Sequence, residues 1–169
     1  GSFAVRPIPE FSLYVFGSYL KSKIKEDVVI GENTAGPIYA ATKGKREGGA
    51  PVFTLGTRAD AHLGPVELGA QIKRTGPRYI NDQNLPVVVA GTQVYGKKTP
   101  SYTLVDLDAR VNLDFAGLGD RTFLQLNVIN VFDKLYVGGF DGAATSTSSI
   151  PNAIIGSPRT FIGSISFGF

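Results

Sequence analysis

Residues 103–115 read TLVDLDARVNLDF. Taken in twos, Thr103, Val105, Leu107, Ala109, Val111, Leu113 and Phe115 fall on one side, and Leu104, Asp106, Asp108, Arg110, Asn112 and Asp114 on the other. Successive side chains of an extended chain point to opposite faces, so this run is a strand with one apolar and one charged face. Two settings fit it. One is a soluble sheet whose apolar face covers a core. The other is a membrane barrel whose apolar face meets lipid while its charged face lines a wet lumen.

The same alternation recurs along the chain. TFLQLNVINVF (122–132) sets Leu124, Leu126 and Val128 against Gln125 and Asn127, and FIGSISFGF (161–169) sets Phe161, Ile165, Phe167 and Phe169 against Ile162, Ser164 and Ser166. VFTLGTRADAHL (52–63) places Phe53, Leu55, Thr57, Ala59, Ala61 and Leu63 opposite Thr54, Gly56, Arg58, Asp60 and His62. VELGAQIK (66–73) opposes Val66, Leu68, Ala70 and Ile72 to Glu67, Gly69, Gln71 and Lys73. FSLYVFGSY (11–19) and an opening SFAVRP complete about seven strands of about 6–14 residues. No long segment has helical periodicity.

The connections alternate strictly. IPE, GP and AGLGD are tight turns of Gly, Pro and Asp, whereas 27–50, 78–101 and 134–157 are long. Compact soluble domains prefer connections of about 4–6 residues. Short periplasmic turns and longer extracellular loops are the rhythm of outer-membrane barrels. Charge placement agrees, because Arg or Lys near the midplane of a lipid face costs about 2–4 kcal/mol and a wet lumen accepts it. The fold expected is all-β: a transmembrane antiparallel up-and-down β-barrel.

Composition narrows the function. The 169 residues carry a net charge of +3 and no Cys, which excludes disulfides and thiolate chemistry. Lys and Arg concentrate in loop segments such as KSKIKED and KGKREGG, which read as solvated exterior rather than a nucleic-acid surface. No apolar run reaches the roughly 18–20 residues of a membrane helix. No basic-then-apolar leader opens the chain, and the start reads as that of a processed or excised segment.

No catalytic, cofactor or metal set emerges. Asp106, Asp108 and Arg110 read as a charge ladder on one strand rather than an acid–base pair. His62 is single, and GLGD at 117–120 opens no helix that would make a phosphate loop. Tyr79, Tyr95, Tyr102, Tyr136 and Phe140 lie at loop-side strand ends, where an interfacial aromatic belt accounts for most and ligand contact for one or two. The Ser/Thr/Gly-rich stretch 142–158 reads as a flexible loop whose AII patch could tuck against the barrel mouth.

YTLVDLDARVNLDF, a Gly-Asp turn, TFLQLNVINVFDKLYV, a Ser/Gly-rich loop and SPRTFIGSISFGF together resemble the end of a TonB-dependent receptor. The matching residues are Leu104–Asp108, Leu126–Tyr136, and Pro158–Thr160 with the terminal Phe169. The terminal strand departs from the usual pattern, carrying Ser164 where glycine is common. The resemblance implies a barrel of about 22 strands with an N-terminal plug, of which residues 1–169 would be the C-terminal portion of the barrel.

The resemblance also implies a place in the Gram-negative outer membrane, no enzyme activity, and uptake of a scarce nutrient such as an iron–siderophore, a vitamin or an oligosaccharide. The partners implied are outer-membrane lipid, the remaining strands and plug, the TonB complex through the N-terminal part, and the barrel-assembly machinery through Phe167 and Phe169. Leu55, Leu68, Ile72, Val105, Leu107, Val111, Leu124, Leu126, Val128, Phe161, Ile165 and Phe167 are expected to face lipid. Arg58, Asp60, Gln71, Lys73, Asp106, Asp108, Arg110, Asn112, Gln125 and Asn127 are expected to face the lumen. Two other readings remain open: a small stand-alone outer-membrane barrel with a structural or lipid-modifying role, and a soluble β-sandwich binding module.

Overall fold

The computed structural model describes residues 1–118, 121–141 and 150–168. Gly119 and Asp120 of the expected turn, the loop stretch 142–149 and Phe169 lie outside the described residues.

One antiparallel sheet of seven strands organises the chain: β1 (Ser2–Ile8), β2 (Phe11–Tyr19), β5 (Phe53–Leu63), β6 (Val66–Thr75), β11 (Tyr102–Asn112), β12 (Phe123–Ile129) and β15 (Thr160–Ser166). They pair in chain order, so the topology is up-and-down. The longest, β5 and β11, have 11 residues each, which suits a tilted membrane crossing.

Register carries the two faces across the whole sheet. Leu55 pairs with Arg74, and Thr57 with Ile72; Ile72 pairs in turn with Val105. Further along, Leu68 pairs with Ala109, Ala109 with Leu126, and Leu124 with Ile165. On the other face Arg58 pairs with Gln71, Gln71 with Asp106, and Asp108 with Asn127. A slip of one residue anywhere would invert the faces, and none occurs between β2 and β15. Eleven of the twelve residues expected to face lipid therefore share one face, and the ten expected to face the lumen share the other; Phe167 lies one residue beyond β15, outside the paired register.

Two strands end earlier than their patterns suggest. β11 stops at Asn112, and Asp114–Ala116 form a 3₁₀ turn closed by Gly117 at φ 72, so Phe115 belongs to the turn. β12 stops at Ile129 because Asn130 turns the chain with φ 53. The apolar letters beyond these points continue the alternation, but the backbone has left the extended region.

The long connections are not structureless. The first holds the hairpin β3 (Val28–Asn33) and β4 (Gly36–Ala40), the second β8 (Val87–Val89) and β9 (Thr92–Tyr95), and the third β13 (Val137–Asp141) and β14 (Asn152–Ile155). β7 (Arg78–Tyr79) and β10 (Lys98–Thr99) prolong β6 and β11 in unchanged register. The AII patch forms the end of β14, with Ile154 and Ile155 exposed rather than tucked in.

The core is not in the sheet. Among the described residues the buried apolar side chains are Ala40, Ile80 and Val87, all in the long connections. Large apolar residues of the sheet stand in the open instead: Leu126 is 48% and Phe161 66% exposed. An exposed apolar band of this extent marks an interaction surface, here spanning seven strands with Arg74, opposite Leu55, as a charge toward its loop-side rim.

Candidate functional site

The polar face is wired across strands rather than along one. Arg58 on β5 reaches over β6 to Asp108 on β11, with Nη1 donating to Oδ1 at 2.8 Å and Nη2 to Oδ2 at 3.2 Å. Its Nη2 also lies 2.6 Å from Asp60. The path runs over Gly69, where a Cβ would collide with the Arg58 guanidinium and the Asp108 carboxylate. The pair exists because β6 has no side chain at that point. Nearer the short turns, the Arg110 guanidinium lies 3.8 Å above the Phe123 ring, and its Nε donates to Asn112 at 3.0 Å. Asn112 in turn donates to Glu67 at 3.2 Å, and Gln125 to Asn127 at 3.2 Å.

The single-strand ladder of Asp106, Asp108 and Arg110 is therefore corrected. Asp108 pairs with Arg58, Arg110 sits on Phe123, and Asp106 accepts the Asn130 backbone N–H at 2.8 Å. Gln71 and Lys73 hold the expected face by register. His62 is exposed on that face, beside the β5–β6 turn.

At the opposite end the three long connections are tied into one layer. Gly48 N donates to Asp82 at 2.6 Å, and Asn84 Nδ2 donates to the Arg46 carbonyl at 2.7 Å, joining the first to the second. Buried Arg78 joins the second to the third, donating through Nη1 to the Gly138 carbonyl and through Nη2 to the Tyr102 hydroxyl at 3.2 Å. Tyr102 packs on Tyr136 with ring centroids 4.3 Å apart, and Tyr95 meets Phe140 edge-on at 5.3 Å. Lys98 lies 4.5 Å over the Tyr79 ring. These aromatics were expected to form a belt; they are half-buried and spent on holding the loop layer together.

The motif residues behind the family resemblance converge here. Asn130 is 1% exposed; its Nδ2 donates to the Lys134 and Ser157 carbonyls at 3.0 Å each, and its Oδ1 accepts the Lys134 N–H at 2.9 Å. Asp133 accepts the Arg159 N–H at 2.8 Å, tying FDK to PRT. Asn81, fully buried, makes the same two bonds with Leu85 in the second connection. An Asn followed by a turn and a residue four places on is a signal that sequence reading could have used.

No family model matches the chain. Over 95 residues, 56% of its length, it is 33% identical to the ferrioxamine B receptor of Salmonella typhimurium, and it spans only 12% of that relative. Solved structures cover nearly all of it. The ferric citrate transporter FecA superposes on 94% of the chain with TM-score 0.68 at 18% identity, the match taking up 21% of FecA. The siderophore receptor PiuA of Acinetobacter baumannii superposes on 97% with TM-score 0.67 at 17% identity, using 20% of PiuA. The ferric preacinetobactin receptor BauA of the same organism matches 98% with TM-score 0.64 at 20% identity, using 21% of BauA. At such identities the likeness is one of fold. The chain is thus a stretch of transmembrane β-barrel of the Gram-negative outer membrane, similar to part of the TonB-dependent siderophore receptors, which are transport receptors and not enzymes.

Proposed function

We propose that the chain is the C-terminal part of the barrel of a TonB-dependent receptor that imports an iron–siderophore complex. The observation that carries the reading is the combination of one apolar band across seven strands with a loop layer tied together at the end opposite the short turns. The apolar face meets lipid, the Arg58–Asp108 face lines the lumen against a plug, and the tied connections stand outside the cell, where they contribute to capture. Among the described residues β1 and β15 each have one unpaired edge, and open edges in lipid are costly. The remaining strands of the barrel supply both partners. The TonB complex acts through the plug, and the assembly machinery reads the last strand with Phe167 and Phe169. Work of this kind is binding and gated passage, without bond chemistry. Iron chelates are preferred over vitamins or oligosaccharides because the relatives described above are named for siderophores or ferric chelates.

The test uses the full-length protein in an iron-starved Gram-negative host lacking its own siderophore receptors. Radioiron supplied as a ferric hydroxamate or catecholate is expected to enter, and uptake is expected to stop when the inner-membrane energy coupling is removed. Uptake that ignores that coupling, or uptake of a vitamin or oligosaccharide with no ferric chelate accepted, would contradict the proposal.

A further inference from the structure

INDQNL at 80–85 and INVFDKL at 129–135 stand far apart in the chain, yet they fold alike. In each, a buried asparagine closes the turn, Asn81 at 0% and Asn130 at 1% exposed. The Asn81 carbonyl accepts the Asn84 N–H at 3.1 Å, and the Asn130 carbonyl accepts the Asp133 N–H at 2.8 Å. Asn84 at φ 58 and Asp133 at φ 50 both occupy the left-handed region, in which asparagine and aspartate are enriched. From there each side chain grips the backbone of an arginine elsewhere in the chain. The Asp133 carboxylate accepts the Arg159 N–H. Asn84, an amide, holds Arg46 in two ways: its Oδ1 accepts the Arg46 N–H at 2.9 Å, and its Nδ2 donates to the Arg46 carbonyl at 2.7 Å.

Arg46 begins a seam between the first and second long connections. Gly48 N donates to Asp82 at 2.6 Å, and Gly49 N to the Tyr79 carbonyl at 2.8 Å. A Cβ at Gly48 would come within 3.1 Å of the Asn81 backbone, so the seam closes this tightly because that position is glycine. Beyond the seam the first connection is braced on itself. Asp27 Oδ1 accepts the Thr42 and Lys43 N–H groups at 2.8 and 2.7 Å, and fully buried Thr42 accepts the Val28 N–H at 3.1 Å. The β3–β4 hairpin is therefore carried on a stiff root. A segment that swings needs a sparsely bonded hinge, and residues 46–49 are instead bonded repeatedly to one neighbour. We propose that Asn84 is a positioning residue for capture: it locks the first two long connections into one preformed wall, which keeps its shape when the cargo binds. Any closure over the cargo belongs to segments outside residues 1–169. The inference rests on the ferric chelate as cargo and on the long connections lying outside the cell. A preformed wall has little left to order on binding, whereas a loosened one is competent for only part of the time.

The test compares the full-length receptor with Asn84→Gly, which removes both bonds to Arg46 and keeps a residue at ease with φ 58. Nitroxide labels at Thr34 and Thr92, in the turn of the β3–β4 hairpin and at the start of β9, report the distance between the two connections by double electron–electron resonance. In the wild type one narrow distance is expected, moving by less than about 2 Å when the ferric chelate that the receptor imports is added. In Asn84→Gly the distribution is expected to broaden in the empty receptor. The chelate concentration for half-maximal radioiron uptake is expected to rise about threefold with the maximal rate unchanged, as when the competent state falls to about a third of the population. A larger shift in the wild type on loading overturns the proposal. So does an Asn84→Gly receptor that matches the wild type in distance width and half-saturation, or one that loses maximal rate alone. A wild type that imports no ferric chelate overturns the transport reading instead, and the distances in the empty receptors then decide the lock by themselves: equal widths overturn it, and a broader variant upholds it.

Discussion

Val105→Arg and Leu126→Arg are expected to prevent the receptor from accumulating as a folded barrel. Val105 pairs with Ile72, and Leu126 pairs with Ala109 on one side and Gly163 on the other, so both lie within the apolar band and away from its rims. An arginine near the midplane of a lipid face costs about 2–4 kcal/mol, a large share of a marginal stability. Asp108→Ala is expected to be tolerated. Arg58 loses one partner but keeps Asp60 at 2.6 Å, on a face where water can solvate the remaining charge. Heat-modifiable migration of outer-membrane fractions reads all three. Equal accumulation of the three variants would contradict the assignment of faces.

Asn130→Ala is expected to be as damaging, by a different route. The side chain makes three bonds inside a nearly sealed turn, and its removal strands the Lys134 N–H together with the Lys134 and Ser157 carbonyls. A buried polar group left unpaired costs about 1–3 kcal/mol. Alanine at φ 53 adds about 1–2 kcal/mol of backbone strain. The expected total is about 4 kcal/mol, read as a lower denaturant midpoint and as protease cleavage between 134 and 157. Asn130→Gly removes the strain but not the lost bonds, and is expected to recover about 1 kcal/mol. If Asn130→Ala matched the wild type, the turn would owe its shape to something else.

The sheet was legible because a strand obeys a rigid period. From Phe11 to Ser166, the face of each sheet residue follows from parity alone, and register then keeps that parity from strand to strand. Partners were less legible than faces. Asp108 meets Arg58 only because Gly69 on the intervening strand is bare, which no spacing rule along one strand reveals. The loop hairpins escaped for another reason. β8 and β9 have 3 and 4 residues, too few for alternation to stand out, and bulges interrupt β3 at Val29/Gly31 and β13 at Val137/Gly139. The resemblance was sound, yet its letters meant something more local than transport. Asp106 accepts the Asn130 N–H, Asn130 donates to the Ser157 carbonyl and Asp133 accepts the Arg159 N–H, which together lock the loop-side end of three strands.

The central claim, that one face of this sheet meets lipid and the other a wet interior, has a direct measurement. Residues 1–169 hold no cysteine, so once any cysteine elsewhere in the full-length protein is replaced by serine, nitroxide labels placed one at a time at positions 104–111 report β11 alone. Collision with lipid-dissolved oxygen and with a water-soluble nickel chelate is then recorded in membranes. The account predicts a period of two, with oxygen dominating at Val105, Leu107, Ala109 and Val111, and falling at Leu104, Asp106, Asp108 and Arg110. Equal collision rates at all eight positions, or the same period with its phase reversed, would contradict it.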